Sequence, residues 1–195
     1  MKKLAIFASG FGSNFQAIID YFKEKKECAQ IEILISDKPS CFAVERAKKE
    51  KIDVFAFDSH LYKNKNDFET EILKVLKIKD VDFIILAGYM RIVGPLLLEH
   101  YPKRIINIHP SLLPKYKGKD AIGQAIEAKE SIIGITIHYV NNELDSGEII
   151  SQENIDISNL KSREEIEAQV HNLEHILYPK SIQKVLEECY EKSIN

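Results

Sequence analysis

The chain has no tryptophan, two methionines and three cysteines in 195 residues. Cys28, Cys41 and Cys189 are scattered and form no C-x-x-C pair. That excludes a disulfide framework and fits a reducing compartment. Basic residues number 27 against 30 acidic ones, a formal net charge of −3. No basic surplus argues for a nucleic acid or a polyanionic membrane as partner, although a local pocket for one small anion stays open. No apolar run is long enough to span a bilayer. Leu4–Ala8, after Met1-Lys2-Lys3, is too short for the apolar region of a signal sequence. There is no internal repeat, low-complexity tract or linker. What remains reads as one cytoplasmic domain spanning residues 1–195. Its hydrophobic fraction of 45% is ordinary for a soluble globular protein with one proper core.

The periodicity alternates between strand and helix. Lys3–Ala8 is strand-like, Ser9–Asn14 is a glycine-rich turn, and Phe15–Phe22 is apolar at helical spacing. Gln30–Ser36 and Ile52–Phe57 read as strands around a helix at Phe42–Glu50. Asp58–Asn66 reads as loop and Asp67–Lys79 as helix. Val81–Ala87 is apolar enough for a central strand, and Pro95 can start a short helix through Tyr101. Arg104–His109 is a strand stopped by Pro110, which has no N–H to give. Ala121–Lys129 is a short helix, and Gly134–Val140 with Glu148–Asn154 suggests a hairpin. Ser162-x-x-Glu165 is a capping box, and Pro179 should kink the last helix or start a new one. The pattern predicts an α/β fold with a doubly wound, mostly parallel sheet and antiparallel strands added late.

Candidate chemistry begins in R-I-I-N-I-H-P-S-L-L-P (Arg104–Pro114). Asn107 and His109 are two apart, so they share one face of the strand at the edge where open α/β sheets bind ligands. The plain structural alternative is a capping asparagine and a packed histidine. Asp145, in the loop Asn141–Gly147, could reach His109 only through tertiary folding, and its carboxylate would then favour the imidazolium. A neutral amide donor and a charged imidazole suit an oxyanion developing on an acyl carbon. Only Ser111 is near enough to be a nucleophile, so the attacking group could belong to a substrate, such as an amine. The turn G-x-G-x-N (Gly10–Asn14) has the strand–turn–helix geometry that cradles a phosphate. It could equally be a tight turn with Ser13 or Asn14 as helix cap. His138, in the alternating strand, divides evenly between a packed side chain and a role beside the site.

N-I-H-P-S-L-L-P followed by E-L-D-S-G resembles the formyltransferases that use 10-formyltetrahydrofolate. S-G-F-G-S-N-F-Q-A-I and L-A-G-Y-M-R-I-V resemble, within them, the phosphoribosylglycinamide formyltransferases of purine synthesis. The resemblance runs from about Leu4 to Pro179. It implies Asn107, His109 and Asp145 as the catalytic trio. It implies Gly12, Ser13 and Asn14 on the substrate phosphate, with His171 and Glu174 near the ribose and glycinamide. It implies Met90, Arg91, Ile92 and Val93, with Asn107 and Lys65, around the folate. Lys65 stands where the family often has arginine, and His171 where others have glutamine or lysine. Lys119–Ile122 departs from a histidine-containing loop of some members. The implied cosubstrate is 10-formyltetrahydrofolate, without a metal, in a monomer or weak homodimer.

Three rivals are separable. Methionyl-tRNA formyltransferases add a C-terminal nucleic-acid-binding domain, whereas this sequence ends at Asn195. Formyltetrahydrofolate deformylases add an N-terminal regulatory domain, whereas the first strand here starts at Lys3. A non-catalytic nucleotide-binding module would leave Asn107, His109 and Asp145 unexplained.

Overall fold

The structure is a computed structural model that describes residues 1–194, with side chains through Tyr190. Seven strands form one sheet in the order β3-β2-β1-β4-β5-β6-β7. They are β1 (Lys2–Phe7), β2 (Ala29–Ser36), β3 (Asp53–Ala56), β4 (Phe83–Leu86), β5 (Ile105–His109), β6 (Ile132–Tyr139) and β7 (Ile149–Asp156). The first five pair in parallel. β6 runs antiparallel to β5, and β7 antiparallel to β6. The doubly wound sheet with late antiparallel strands is therefore the arrangement that the alternation predicts. Leu4–Phe7 and Phe83–Leu86 are buried throughout, as parallel strands covered on both faces require.

Helices α1 (Ser13–Glu24), α2 (Phe42–Lys49), α5 (Ala121–Glu127) and α6 (Arg163–Ile194) pack on one face. On the other lie α3 (Lys65–Ile78) and α4 (Pro95–His100). In α1, Phe15, Ile18, Ile19 and Phe22 form the buried stripe, the spacing of one helical face. The core under α3 and α4 takes in Ile105 of β5 and no residue of β6. Neither helix therefore covers the β5–β6 face that carries Asn107, His109 and His138.

The chain winds outward through β1, β2 and β3, then returns to place β4 on the other side of β1. The loops after β1 and β4 therefore diverge from adjacent strand ends, the crevice where such sheets take ligands.

Two expectations are corrected. The stretch Asp58–Asn66 is not wholly loop. It holds a 3-10 turn at Ser59–Leu61, and α3 begins at Lys65 because the Asn64 side chain caps it, accepting from the Asp67 N–H at 3.1 Å. The last helix does not divide at Pro179 but runs through it. A proline inside a helix costs about 3 kcal/mol. Val170, Tyr178, Ile182, Val185 and Leu186 are buried along α6, and a fully buried side chain of this size is worth about 1.5–3 kcal/mol. Docking of the whole helix outweighs the proline.

Tyr178 crosses from α6 into the sheet. Its hydroxyl lies 2.9 Å from the Leu86 carbonyl and 3.0 Å from that of Ile106, pinning β4 to β5 just beneath Asn107. Burial holds the phenol well above its ordinary pKa, so it remains a donor. Between β6 and β7, Ile137 pairs with Ser151 but His138 with Ile149, leaving Ile150 as the extra residue of a bulge. Tyr178→Phe should lower the unfolding free energy by about 1–3 kcal/mol, the cost of a lost buried hydrogen bond. Urea titration checks this, and an unchanged midpoint would show that the hydroxyl bonds contribute nothing.

Candidate functional site

β5 ends with Asn107 and His109 on one face, and antiparallel pairing sets His138 of β6 directly opposite Asn107. Asn107 Nδ2 is 3.3 Å from His138 Nε2. His138 Nδ1 is 2.8 Å from the Tyr139 carbonyl. A carbonyl only accepts, so Nδ1 carries the proton and Nε2 presents a lone pair. That lone pair takes an N–H from Asn107, which fixes the orientation of the amide. Burial lowers the His138 pKa, only partly offset by the Tyr139 bond and by Asp145.

His109 is fixed in the same way with its nitrogens exchanged. Its Nε2 is 2.8 Å from the Tyr116 carbonyl, so Nε2 bears the hydrogen and Nδ1 is the nitrogen turned towards the acid. Asp145 Oδ2 lies 3.5 Å from that Nδ1, and Oδ1 lies 3.7 Å from His138 Nε2. The Gly118 N–H donates to Asp145 Oδ2 at 2.8 Å. All three ionisable side chains are at most 8% exposed.

The path of Asp145 to this position is indirect. Because β6 is antiparallel, Val140 at its end bonds the Ile105 carbonyl, at the start of β5. The Asn141–Gly147 loop must fold back over the open sheet face to meet His109. A Cβ at Gly147 would lie 1.6 Å from the Tyr139 carbonyl oxygen, so only glycine permits this close return. Asp145 itself has φ 48°, a left-handed conformation that aspartate tolerates better than most residues. Lys117 Nζ donates to Ser146 Oγ at 2.6 Å, tying the acid's loop to the one that covers His109.

The glycine turn also deviates from expectation. Neither Ser13 nor Asn14 caps α1. The cap position is Gly12, at φ 73°, and no side chain bonds the helix end. A Cβ on Gly12 would lie 2.8 Å from Ala43 Cβ. The first intrahelical bond is donated by Gln16, so the amides of Ser13, Asn14 and Phe15 precede the helical ladder. Asn14 Nδ2 instead donates to Glu174 Oε2 at 2.9 Å, while Asn14 Oδ1 is buried without a partner. Burial raises the Glu174 pKa, and Asn14 and His171 pull it back. His171 is exposed on α6 and stacks near-parallel with His175, whose buried Nε2 has no partner.

In the loop after β4, Met90 and Ile92 are 73% and 67% exposed, whereas Val93 is buried in the core. The Arg91 side chain is engaged elsewhere. Its Nε donates to Asp37 Oδ2 at 2.8 Å and its outer nitrogen reaches Ser59. Lys65, in the first turn of α3, is 4.0 Å from Glu69 Oε1, which accepts the Gly94 N–H at 2.7 Å. Lys65 therefore stands at the far end of the Met90–Val93 loop. Burial raises the Glu69 pKa.

Sequence reasoning passed over Arg46. Its Nε donates to the Phe11 carbonyl at 3.0 Å, and its guanidinium lies 4.7 and 4.9 Å from the stacked rings of Phe11 and Phe42. A cation is thereby held against the glycine turn. Nothing in F-A-V-E-R-A-K-K distinguishes it from the solvent-facing charges of an ordinary helix.

The description "Formyl transferase" fits residues 2–182, most of the chain. The chain belongs to the formyl transferase family. This formyl transferase is 47% identical over 186 residues to the phosphoribosylglycinamide formyltransferase of Bacillus subtilis, covering 95% of each chain. It is 36% identical to the human trifunctional purine biosynthetic protein adenosine-3 over 94% of this chain and 18% of that one. Among solved structures, it superposes on glycinamide ribonucleotide transformylase 1 from Geobacillus kaustophilus with a TM-score of 0.93 and 46% identity, covering 95% of this chain and 99% of that one. For the phosphoribosylglycinamide formyltransferase from Bacillus halodurans the values are 0.92 and 45%, over 96% and 97%.

In this formyl transferase a cavity of about 380 Å³ opens at the other end of the sheet, among Ile19, Phe22, Ile31 and Ile52. It includes none of the site residues described above.

His138 gives a pH test. Its folded pKa is depressed below the ordinary histidine value of 6.5, so the unfolded chain binds the proton more readily. Its stability contribution is full above that value and is lost as the pH falls towards the folded pKa. His175 shifts in the same direction, through burial. Urea midpoints measured at about pH 7.5 and about pH 5.5 should fall less between the two for His138→Gln than for wild type. Equal falls would show that His138 charges freely in the folded state.

Proposed function

We propose that this formyl transferase carries the formyl group of 10-formyltetrahydrofolate to the amine of 5′-phosphoribosylglycinamide, in de novo purine biosynthesis. The observation that carries the reading is the meeting of Asn107, His109 and Asp145 on the β5–β6 face that α3 and α4 leave to loops, with His109 Nδ1 3.5 Å from the carboxylate. The names of the relatives point the same way. Buried, unpartnered Asn14 Oδ1 beside Glu174 supports a polar ligand next to the glycine turn. Exposed Met90 and Ile92 support an apolar ring system along the loop after β4.

The substrate amine attacks the formyl carbon, and the formyl oxygen takes the negative charge. Asn107 Nδ2–H donates to that oxygen, and protonated His109, its Nδ1 facing Asp145, stabilises the charge beside it. Asp145, 3.5 Å from Nδ1, orients the His109 ring. Neutral His138 holds the Asn107 amide so that a second N–H faces the substrate. The bond from carbon to the folate nitrogen then breaks. One proton passes from the attacking amine to that nitrogen, through His109, Asp145 or water. The amide product and the folate amine carry the same total of protons as the reactants.

Ser13, Asn14 and the α1 N-terminus hold the phosphate through free N–H groups, beside Gly12, with Glu174 and His171 on the rest of that substrate. Met90–Val93 and Lys65 flank the folate. Arg91 contributes its backbone, since its side chain is bonded to Asp37.

Incubation with both substrates should yield formylated product and tetrahydrofolate in equal amounts, with little tetrahydrofolate when the amine is omitted. Amine-independent release would instead mark a hydrolase. Removal of one oxyanion donor typically costs about 10²–10³ in turnover, so Asn107→Ala, His109→Ala and Asp145→Asn should each lose at least that much. Asparagine suits the left-handed backbone of position 145, so the last change isolates the charge. Near-wild-type turnover in folded Asp145→Asn would remove Asp145 from the scheme.

A further inference from the structure

We infer that the Ser9 hydroxyl, backed by Asp37 and Arg91, couples the two substrate loops. Phosphoribosylglycinamide on the Gly12–Asn14 turn then strengthens folate binding along Met90–Val93, and the folate strengthens the glycinamide in return. This deepens the function proposed above and rests on it.

The switch point of the sheet lies between β1 and β4. The loop after β1 leads to α1, and the loop after β4 leads to α4. One side chain bridges them. Ser9 is 2% exposed. Its N–H donates to the Gly88 carbonyl at 3.0 Å. Its Oγ accepts the Met90 N–H at 2.9 Å and donates to Asp37 Oδ1 at 2.5 Å. The other oxygen of Asp37 takes Arg91 Nε at 2.8 Å. Asp37 is the more enclosed partner of that pair, its side chain 4% exposed against 34% for Arg91. The Arg91 guanidinium continues to Ser59 and lies 5.6 Å from the centre of the Phe68 ring.

The Gly88–Ile92 segment has few anchors of its own. Met90 and Ile92 bury little, and Gly88 has a φ of 80°. Its far end is fixed by Val93 in the core and by the Gly94–Glu69 bond. Its near end is fixed by Ser9, through Gly88 and Met90, and by Arg91 on Asp37. Ser9 is also the residue from which the glycine turn starts. A ligand phosphate that holds residues 12–14 restrains Ser9 through only two intervening residues. The cost of ordering the second loop is then met once for both ligands. Such shared ordering makes binding cooperative without a large change of shape, and the coupling is reciprocal. A hydroxyl suits the junction because it donates and accepts at once; alanine in its place would keep the Ser9 N–H bond to Gly88 and the Arg91–Asp37 pair but lose the side-chain link between the two loops.

The test uses the full chain and a pair that cannot react, phosphoribosylglycinamide with tetrahydrofolate, which lacks the formyl group. Calorimetry gives the Kd of the first with and without saturating tetrahydrofolate. In wild type that Kd should fall by roughly fivefold or more, the lower range of measured couplings. In Ser9→Ala the ratio should collapse to about one, even where each ligand's own Kd changes. A merely structural role moves the individual constants and leaves the ratio. Asp37→Asn keeps an acceptor for Ser9 but weakens the hold on Arg91, and should give an intermediate ratio; it also serves if Ser9→Ala fails to fold. A wild-type ratio of one, or an unchanged ratio in folded variants, overturns the coupling. Folded wild type that binds neither ligand overturns the functional reading beneath it.

Discussion

The contact on which the rest turns is the Asp145 carboxylate set against two imidazoles on the open side of the sheet. Buried ionisable groups need partners or they become neutral. Here each histidine has one ring nitrogen consumed by a backbone carbonyl, Tyr116 for His109 and Tyr139 for His138. The remaining nitrogens face inward, one towards the acid and one towards Asn107. Main-chain geometry, not side-chain freedom, thus decides which atom of each ring is available. That is the kind of prior orientation from which electrostatic stabilisation of a developing charge derives its strength.

The sheet topology explains why these groups meet. Parallel pairing alone would send every loop to one edge. Reversal of β6 places His138 beside Asn107 and starts the next loop at the opposite edge, so that loop must travel back across the face. The sheet is free of helices at that place. Meanwhile the divergence of chain between β1 and β4 supplies the crevice for the glycine turn and the loop beyond β4. Two approaches to one centre, from the edge and from the face, suit a reaction that joins two different small molecules.

Much of this was legible in the amino-acid order. Apolar runs such as Phe83–Leu86 and the helical stripe of α1 identified the layers, because burial imposes a period that survives in sequence. Asn107 and His109 stood out because polar residues interrupt an apolar strand. The plain alternative for the glycine turn, a Ser13 or Asn14 cap, rested on general cap preference, and only the left-handed Gly12 against Ala43 shows why neither is used. Of the two outcomes expected at Pro179, a new helix does not begin there, because local propensity says nothing of the buried face of α6. The second role of Arg91 and the place of Arg46 were hidden for a different reason. Their partners, Asp37 and Phe11, lie far away in sequence, and no local period records such pairs. His138 could be left open but not placed until β6 was known to be antiparallel.

The bulge at Ile150 has a consequence for how the hairpin can vary. Gly147 is locked against Tyr139, and the ladder beyond Ser151 is regular out to Asp156. The one unmatched residue between them absorbs the difference between the returning loop and the strand's own register. Side chains alternate at every step. Deleting Ile150 would close the ladder with Ile149 still opposite His138 and Ser151 still opposite Ile137, whereas deleting a residue within Ser151–Asp156 would turn everything beyond it to the other face. The bulge is therefore the position in this hairpin where one residue can be lost without changing which face each side chain takes.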